Sequence, residues 1–249
     1  MSIKSKILLY SSVLLFSLGL IIGLFLWTGS VWADLEGYMF QPATYAENAK
    51  ENLKCPVLIT SSDFGVISMG FENTFDQNQK LVVRGNKSLG YVIYVATDEN
   101  TFELKPGETK VLHWYIYPED SVWNRFVLFR ANIISSRGVS LTTASCGVMV
   151  INFPYLNSTQ FFMLILLLGM VLIGAGIFLM YRASISRKRN NFYNEKLMLA
   201  MIAVLIIGLL LALFDQWVAG GLLLVGMYIF IMVSIAQYLQ NTGKDHRIN

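Results

Sequence analysis

The segment Gln160–Tyr181, QFFMLILLLGMVLIGAGIFLMY, decides the fold class of this chain. It contains no Asp, Glu, Lys, Arg or His, and a helix needs about 20 apolar residues to cross the hydrocarbon core of a bilayer. Three further stretches share this composition: Ile7–Trp27, Leu197–Leu213 and Trp217–Tyr238. The sequence therefore predicts a membrane protein with a four-helix transmembrane bundle.

Basic residues predict how these helices are oriented. The N-terminal tail, the loop Arg182–Lys196 and the C-terminal tail together hold nine Lys and Arg against two acidic residues, whereas the segment between the first two helices holds ten against thirteen. Short cytoplasmic loops are enriched in Lys and Arg, and with four spans all three groups fall on the same side. We expect a multi-pass protein of the cell membrane with both termini cytoplasmic and the segment between the first two helices outside.

The first helix has two interpretations. Its basic start, with Lys4 and Lys6, and the small residue Ala33 resemble a cleavable secretory signal. Its apolar run, Ile7–Trp27, is longer than the roughly 7–15 residues of a signal core, which favours an uncleaved anchor. The segment that follows lies outside on either interpretation.

The boundaries divide the chain into a membrane part and an inserted domain. We assign residues 1–33 to the N-terminal tail and first helix, and 34–54 to a juxtamembrane connector. Residues 55–156 form the extracytoplasmic β-domain, and 157–249 hold the remaining helices, at about 160–181, 197–213 and 217–238, with the cytoplasmic tail.

The β-domain is predicted from short runs of β-branched and aromatic residues that alternate with turn residues. The turns include Gly85-Asn86 and Asp98-Glu99-Asn100. In the run Lys110–Tyr117, Leu112, Trp114 and Ile116 are expected to face one way and His113, Tyr115 and Tyr117 the other. Both faces of Arg125–Ile134 are expected to be partly buried. Seven or eight such runs predict an antiparallel β-sandwich.

Four segments of this domain resemble a known type of module. They are Gly70-Phe71-Glu72-Asn73, Leu81-Val82-Val83, Leu104-Lys105-Pro106-Gly107-Glu108-Thr109 and Val111-Leu112-His113-Trp114. Over Cys55–Phe153 the pattern is similar to the CARDB and NEW3 types of bacterial cell-surface immunoglobulin-like modules. The resemblance implies an immunoglobulin-like sandwich and a surface role, and it implies no particular activity.

Both cysteines of the chain, Cys55 and Cys146, fall in the predicted outer domain. That distribution suits an oxidising compartment, where a bridge between them would close most of the domain. Two unpaired thiols are the alternative.

Small residues recur at close spacing in the apolar helices, where they allow helix backbones to touch. The candidate helix-packing positions are Gly19, Gly23, Gly169, Gly174, Gly208, Ala212 and Gly226. They serve either packing within the bundle or contact with neighbouring subunits.

Groups for catalysis or metal binding are scarce in the sequence. The two histidines, His113 and His246, are far apart in the chain, and no glycine-rich phosphate loop or metal-ligand spacing occurs. We therefore predict no enzymatic activity, no catalytic or cofactor-binding residue, no metal site and no nucleic-acid partner.

By elimination, the sequence favours a non-catalytic accessory or scaffolding subunit of a larger membrane complex. Its partners would be the lipid bilayer and either other membrane subunits or further copies of itself. One alternative is an adhesion or ligand-binding module with a surface patch formed by Tyr91, Tyr94, Tyr115 and Tyr117. A homo-oligomeric channel is a further alternative.

Overall fold

The computed structural model describes residues 3–41, 47–48, 53–135, 141–185, 192–214 and 216–245. Its elements are α1 Ile3–Met39, β1 Glu47–Asn48, β2 Leu53–Lys54, β3 Leu58–Thr60, β4 Gly65–Glu72, β5 Gln79–Leu89, β6 Tyr91–Leu104, β7 Thr109–Ile116, β8 Phe126–Ser135, β9 Leu141–Ile151, α2 Ser158–Ile185, α3 Phe192–Leu213 and α4 Trp217–Asp245. Part of the predicted loop Arg182–Lys196, and His246, lie outside the described residues.

The chain forms two compact units, one of residues 1–31 and 165–249 and the other of residues 32–164. In the described residues, two helical segments are long and apolar enough to cross a membrane, Ile7–Met39 and Ser158–Arg182. The apolar segments Leu197–Leu213 and Trp217–Val233 are shorter. Helix α1 continues through the first residues of the predicted connector and ends at Met39.

The β-domain consists of two packed sheets. The larger sheet has the strand order β1-β9-β8-β5-β6, with β3 also paired to β9, and the smaller sheet has the order β2-β4-β7. The prediction that all pairs are antiparallel was wrong, because β1 and β3 both run parallel to β9. Turn residues in the sequence indicate only how consecutive strands pair. Because most of the domain lies between β3 and β9 in the chain, no turn indicates their parallel pairing.

Two of the predicted turns lie inside strands. Gly85 pairs with Asp98 on β6 and with Ala131 on β8, so β5 and β6 form one long hairpin whose turn is at Gly90, with φ 72°. A Cβ atom on Gly85 would overlap the indole of Trp114. The glycine at this position therefore makes room for a core side chain and does not mark a turn.

The sandwich core combines residues from both sheets. Trp114 of β7 packs against Phe129 of β8 with 5.0 Å between ring centroids. The alternation predicted for the β7 run is confirmed, with Leu112, Trp114 and Ile116 buried. Both faces of β8 are buried, as predicted: Val127, Phe129, Ala131 and Ile133 on one side, Leu128 and Arg130 on the other. The face of β8 that carries Leu128 and Arg130 is therefore covered by a segment other than the smaller sheet.

Candidate interaction surfaces

The C-terminal end of α1 covers the outer face of the larger sheet through backbone contact. A Cβ atom on Gly147 of β9 would overlap the carbonyl group of Ala33, and one on Gly37 would overlap the backbone of Cys146. Glycine is needed at both positions because helix and strand touch without side chains between them. The Asp34 carboxylate also accepts a hydrogen bond of 3.3 Å from Gly147 N–H.

Arg130 caps the same helix end. Arg130 is 5% exposed, and its guanidinium donates through Nη2 to the carbonyl oxygen of Tyr38 in the last turn of α1. A cation is favourable there because the carbonyl ends of a helix carry partial negative charge. Burial lowers the pKa of Arg130, and the interaction with Tyr38 opposes that shift. This contact fixes the helix end to β8.

The predicted bridge between Cys55 and Cys146 is present, with 6.6 Å between their Cα atoms. It joins the segment ahead of β3 to β9, and Cys146 is buried beside the contact with Gly37. The bridge closes a loop of most of the sandwich, so it limits the conformational freedom of the unfolded domain.

Hydrogen bonds fasten the start of α2 to the sandwich. The Thr60 and Ser62 hydroxyls donate to the carbonyl oxygen of Leu156, at 2.8 and 2.9 Å. Ser158 Oγ accepts from Thr60 N–H at 3.1 Å, and Ser158 N–H donates to Asp63 Oδ2 at 3.0 Å. These bonds involve both backbone and side-chain groups, and they hold the first turn of α2 against the segment Thr60–Asp63.

Asp63 makes the stability of this contact between the start of α2 and the sandwich depend on pH. Partial burial raises the pKa of Asp63, but hydrogen bonds from Ser158 and Phe64 outweigh it and hold the pKa below its ordinary value. A carboxylate beside the N–H groups at a helix start is also favoured by the helix dipole.

We expect Asp63→Asn to destabilise the β-domain by about 0.5 kcal/mol near neutral pH. A lowered pKa stabilises the fold above the unfolded-state value of about 3.9. The difference between wild type and variant should therefore be constant above about pH 5 and disappear as the pH falls through the folded-state pKa. Urea unfolding of the full chain at several pH values measures this, with Asp76→Asn as the control. A difference that persists at pH 2 would contradict the assignment.

A cleft of about 290 Å³ lies beside the hydrogen bond between Asp63 and Ser158. Its lining residues are Pro56, Val57, Leu58, Ile59, Asp63, Phe64, Gly65, Val66, Ser158, Thr159 and Phe162. The lining is mostly apolar, and the carboxylate of Asp63 is already engaged by Ser158 and Phe64. The cleft therefore offers packing surface more than acid–base chemistry.

The four tyrosines of the predicted patch lie on different sheets. Tyr91 and Tyr94 make an edge-to-face pair on β6 with 5.8 Å between ring centroids. Tyr115 and Tyr117, on and just after β7, pack beside Phe64 at 5.9 and 6.2 Å. All four are exposed. Phe64 was not part of the predicted patch, because its contact with Tyr115 and Tyr117 joins segments that are distant in the chain.

The helix-packing glycines divide into two groups. Gly19 approaches the Gly169 carbonyl and Ile173, Gly23 contacts Leu205, and Gly208 lies against the Trp27 indole. Ala212 is also buried. In contrast, nothing lies within 4 Å of a Cβ placed on Gly174 or Gly226. The first group packs the helices of the chain together, and the second group leaves open surface on α2 and α4.

Helix α1 contacts each of the other helices in its unit. Beyond the glycine contacts with α2 and α3, the Thr28 hydroxyl hydrogen-bonds with the Tyr228 hydroxyl of α4 at 2.9 Å. Trp27 is fully buried. Within the part of the chain that the structure describes, no group of three or more His, Cys, Asp and Glu is placed to hold a metal ion, and His113 is exposed.

No family model and no curated protein sequence matches the chain. Among solved structures, β-glucuronidase 2 of Bacteroides uniformis matches at 13% identity and a TM-score of 0.30, over 41% of this chain and 13% of that one. An alkylpurine DNA glycosylase of Pseudomonas fluorescens matches at 16% identity and a TM-score of 0.28, over 41% and 31%. A CARDB domain of Pyrococcus furiosus, in complex with di-metal ions, matches at 15% identity and a TM-score of 0.27, over 45% and 99%.

The matched region thus spans a small part of the two enzymes. The CARDB domain is of the module type that the sequence of the β-domain resembles. With TM-scores below 0.5, these likenesses carry no conclusion about activity, ligands or partners.

Proposed function

We propose that this chain is a non-catalytic integral membrane protein, an accessory subunit that docks laterally to other membrane subunits and holds its β-domain outside the membrane. The proposed topology has four spans, with both termini cytoplasmic. The positions of the basic residues support that orientation, because Lys and Arg mark the cytoplasmic loops.

One observation carries the docking proposal: α2 buries little of its surface within the chain. Only 11% of the residues in its most apolar stretch are buried within the chain, against 28% in that of α1. One side of α2 is an exposed stripe at helical spacing: Leu167, Met170, Val171, Gly174, Phe178 and Tyr181. Lipid can cover such a stripe, but an open glycine at its centre also allows another helix backbone to approach closely.

The contacts of α1 support its retention as an anchor. Trp27 is fully buried and lies against Gly208, while Gly19 and Gly23 receive α2 and α3. Cleavage at Ala33 would remove this helix, and the other three would lose the element that they share. We therefore propose that the first helix is part of the working protein and not a signal that is discarded.

Mild detergent extraction followed by native mass spectrometry tests the proposal. Wild-type protein should carry foreign subunits in fixed stoichiometry. Gly174→Leu should lose them at least several-fold without unfolding, because the added side chain meets open space in the isolated chain. Gly226→Leu, an equally open position on α4, is the matched control and should retain them.

A wild-type protein that is always a lone monomer would contradict the accessory role. That outcome would favour the adhesion alternative, for which the exposed rings of Phe64, Tyr115 and Tyr117 are the specific observation. A symmetric homo-oligomer without foreign subunits would contradict it in favour of a channel.

A further inference from the structure

One end of the sandwich is adjacent to the start of α2. Thr60 of β3 lies opposite Ile151 of β9, and Phe126 of β8 lies opposite Met149. Strand β9 leads from this end into α2 at Ser158. We call it the α2 end. The hydrogen bonds between Thr60–Asp63 and Leu156–Ser158 keep this end close to the first helical turn.

The β5–β6 hairpin turns at the α2 end and presents a run of exposed apolar side chains. Lys87 of β5 pairs with β8 near its start, and the hairpin then turns through Leu89–Tyr94, the hairpin tip. The pairing register shifts between Ser88 and Leu89, which places extra residues in β6. A bulge breaks the alternation of side chains, so consecutive residues face outward. Ile93 is 81% exposed.

A second turn at the same end exposes a tryptophan in an unfavourable conformation. Val122 and Phe126 are joined by hydrogen bonds in both directions across a tight turn. Within it, Trp123 has φ 54° and Asn124 φ 56°. A left-handed backbone is costly for a bulky side chain, and such strain persists at functional positions. Trp123 is nevertheless 59% exposed.

The exposed apolar residues of the strands and loops are unevenly divided between the two ends. Those at or near the α2 end are Phe64, Val66, Leu89, Tyr91, Val92, Ile93, Tyr94, Tyr115, Tyr117, Trp123 and Tyr155. Toward the opposite end the described residues include Phe75, Val111 and Ile134. The turns there are polar and charged, such as Asp76-Gln77-Asn78 and Lys105–Glu108.

We propose that the α2 end of the sandwich inserts into the outer interface of the same lipid bilayer that α2 crosses, with the hairpin tip and Trp123 among headgroups and upper acyl chains. The inference rests on the proposed membrane topology. A spanning helix begins at headgroup level, and the sandwich end is fastened to that first turn. Tyr and Trp are the residues that favour this interface, since they are apolar with one polar edge.

Lipid is a better occupant than a partner protein, because the position of the patch follows from where α2 begins. Several of these side chains are large and apolar, and exposed apolar side chains gathered at one end of a domain mark an interaction surface. On the smaller sheet the rings of Phe64, Tyr115 and Tyr117 are exposed at the same end. One end of the β-domain would then be in direct contact with the lipid bilayer.

Site-directed labelling of the full chain in liposomes tests the inference. The chain has two cysteines, both in the bridge, so a single introduced cysteine carries the probe. Ile93→Cys tests the hairpin tip, and Glu103→Cys, also exposed and on the same strand, lies about 30 Å farther along as the aqueous control. Leu167→Cys in α2 reports whether the helix is in the bilayer.

The proposal predicts that nitroxide lipids quench a fluorophore at position 93 more strongly than one at position 103. Iodide in the aqueous phase should quench the fluorophore at position 93 several-fold less than the one at position 103. An aqueous probe at 93 with a lipid-embedded probe at 167 would overturn the inference and leave the topology standing. Aqueous probes at both 93 and 167 would overturn the topology itself. A probe at 93 that is aqueous in liposomes and shielded only in native membranes would assign the patch to a protein partner and also overturn the inference.

Discussion

Removal of the disulfide by the double substitution Cys55→Ala and Cys146→Ala is expected to lower the free energy of unfolding of the β-domain by about 4–5 kcal/mol. The reason is mainly in the unfolded chain. The two cysteines are 91 residues apart, so the bridge restricts nearly the whole domain before it folds. Cys146 is buried, and alanine at that position adds no polar group to the core.

Pulse proteolysis of the full chain in urea measures this loss, because protease cuts the sandwich once it unfolds. Wild-type protein unfolded in the presence of a thiol reductant is an independent control and should show a similar decrease. A double variant that unfolds at the same urea concentration as wild type would show that the bridge does not support the fold.

The substitution Gly147→Val is expected to destabilise the domain by about 3 kcal/mol or more. The new side chain would occupy the space of the Ala33 backbone, and neither partner can yield by rotating a side chain. The end of α1 would have to separate from the larger sheet. Phe40 and Leu128, which are both buried there, would then be exposed to water.

Gly70→Val is the matched control for this prediction, since Gly70 is also a strand residue of the sandwich. Nothing lies within 4 Å of a Cβ at position 70, and valine suits a strand. Its effect on stability should be small or favourable. In hydrogen–deuterium exchange, Gly147→Val should deprotect residues 32–39 while Gly70→Val should not. Equal protection in both variants would contradict the proposed contact.

Local pattern was sufficient to predict the parts of the fold that depend on composition and alternation. The apolar segments, the β7 alternation and the two buried faces of β8 all follow from which residues recur at which spacing. The bridge between Cys55 and Cys146 was predicted because both cysteines fall in the segment between the first two helices, which we expect to lie outside.

Long-range contacts were beyond that reasoning. Gly85 was interpreted as a turn residue because glycine favours turns, whereas its role depends on Trp114, which belongs to the other sheet. The parallel pairing of β3 with β9 and the contact of Gly147 with Ala33 join segments that are distant in the chain. At the hairpin tip the sequence indicated Tyr91 and Tyr94 but not Val92 and Ile93, which are exposed beside them where the register shifts.

The candidate surfaces show the same difference between what local sequence pattern predicts and what long-range contacts determine. Tyrosines were recognisable as exposed aromatic residues, but sequence spacing did not show that Tyr91 and Tyr115 belong to different sheets. Nor did it distinguish Gly174, which is open, from Gly208, which is filled by Trp27. Both distinctions require knowing which helix or sheet lies opposite.

The central claim, a chain that crosses the bilayer with its sandwich outside, is tested most directly by a membrane-impermeant thiol reagent on intact cells. Single cysteines would be introduced at Glu108, in a turn of the sandwich, and at Lys188, between the second and third apolar segments. The topology predicts that Glu108→Cys is labelled from outside, whereas Lys188→Cys is labelled only after the membrane is opened. Labelling of both from outside, or of neither, would contradict it.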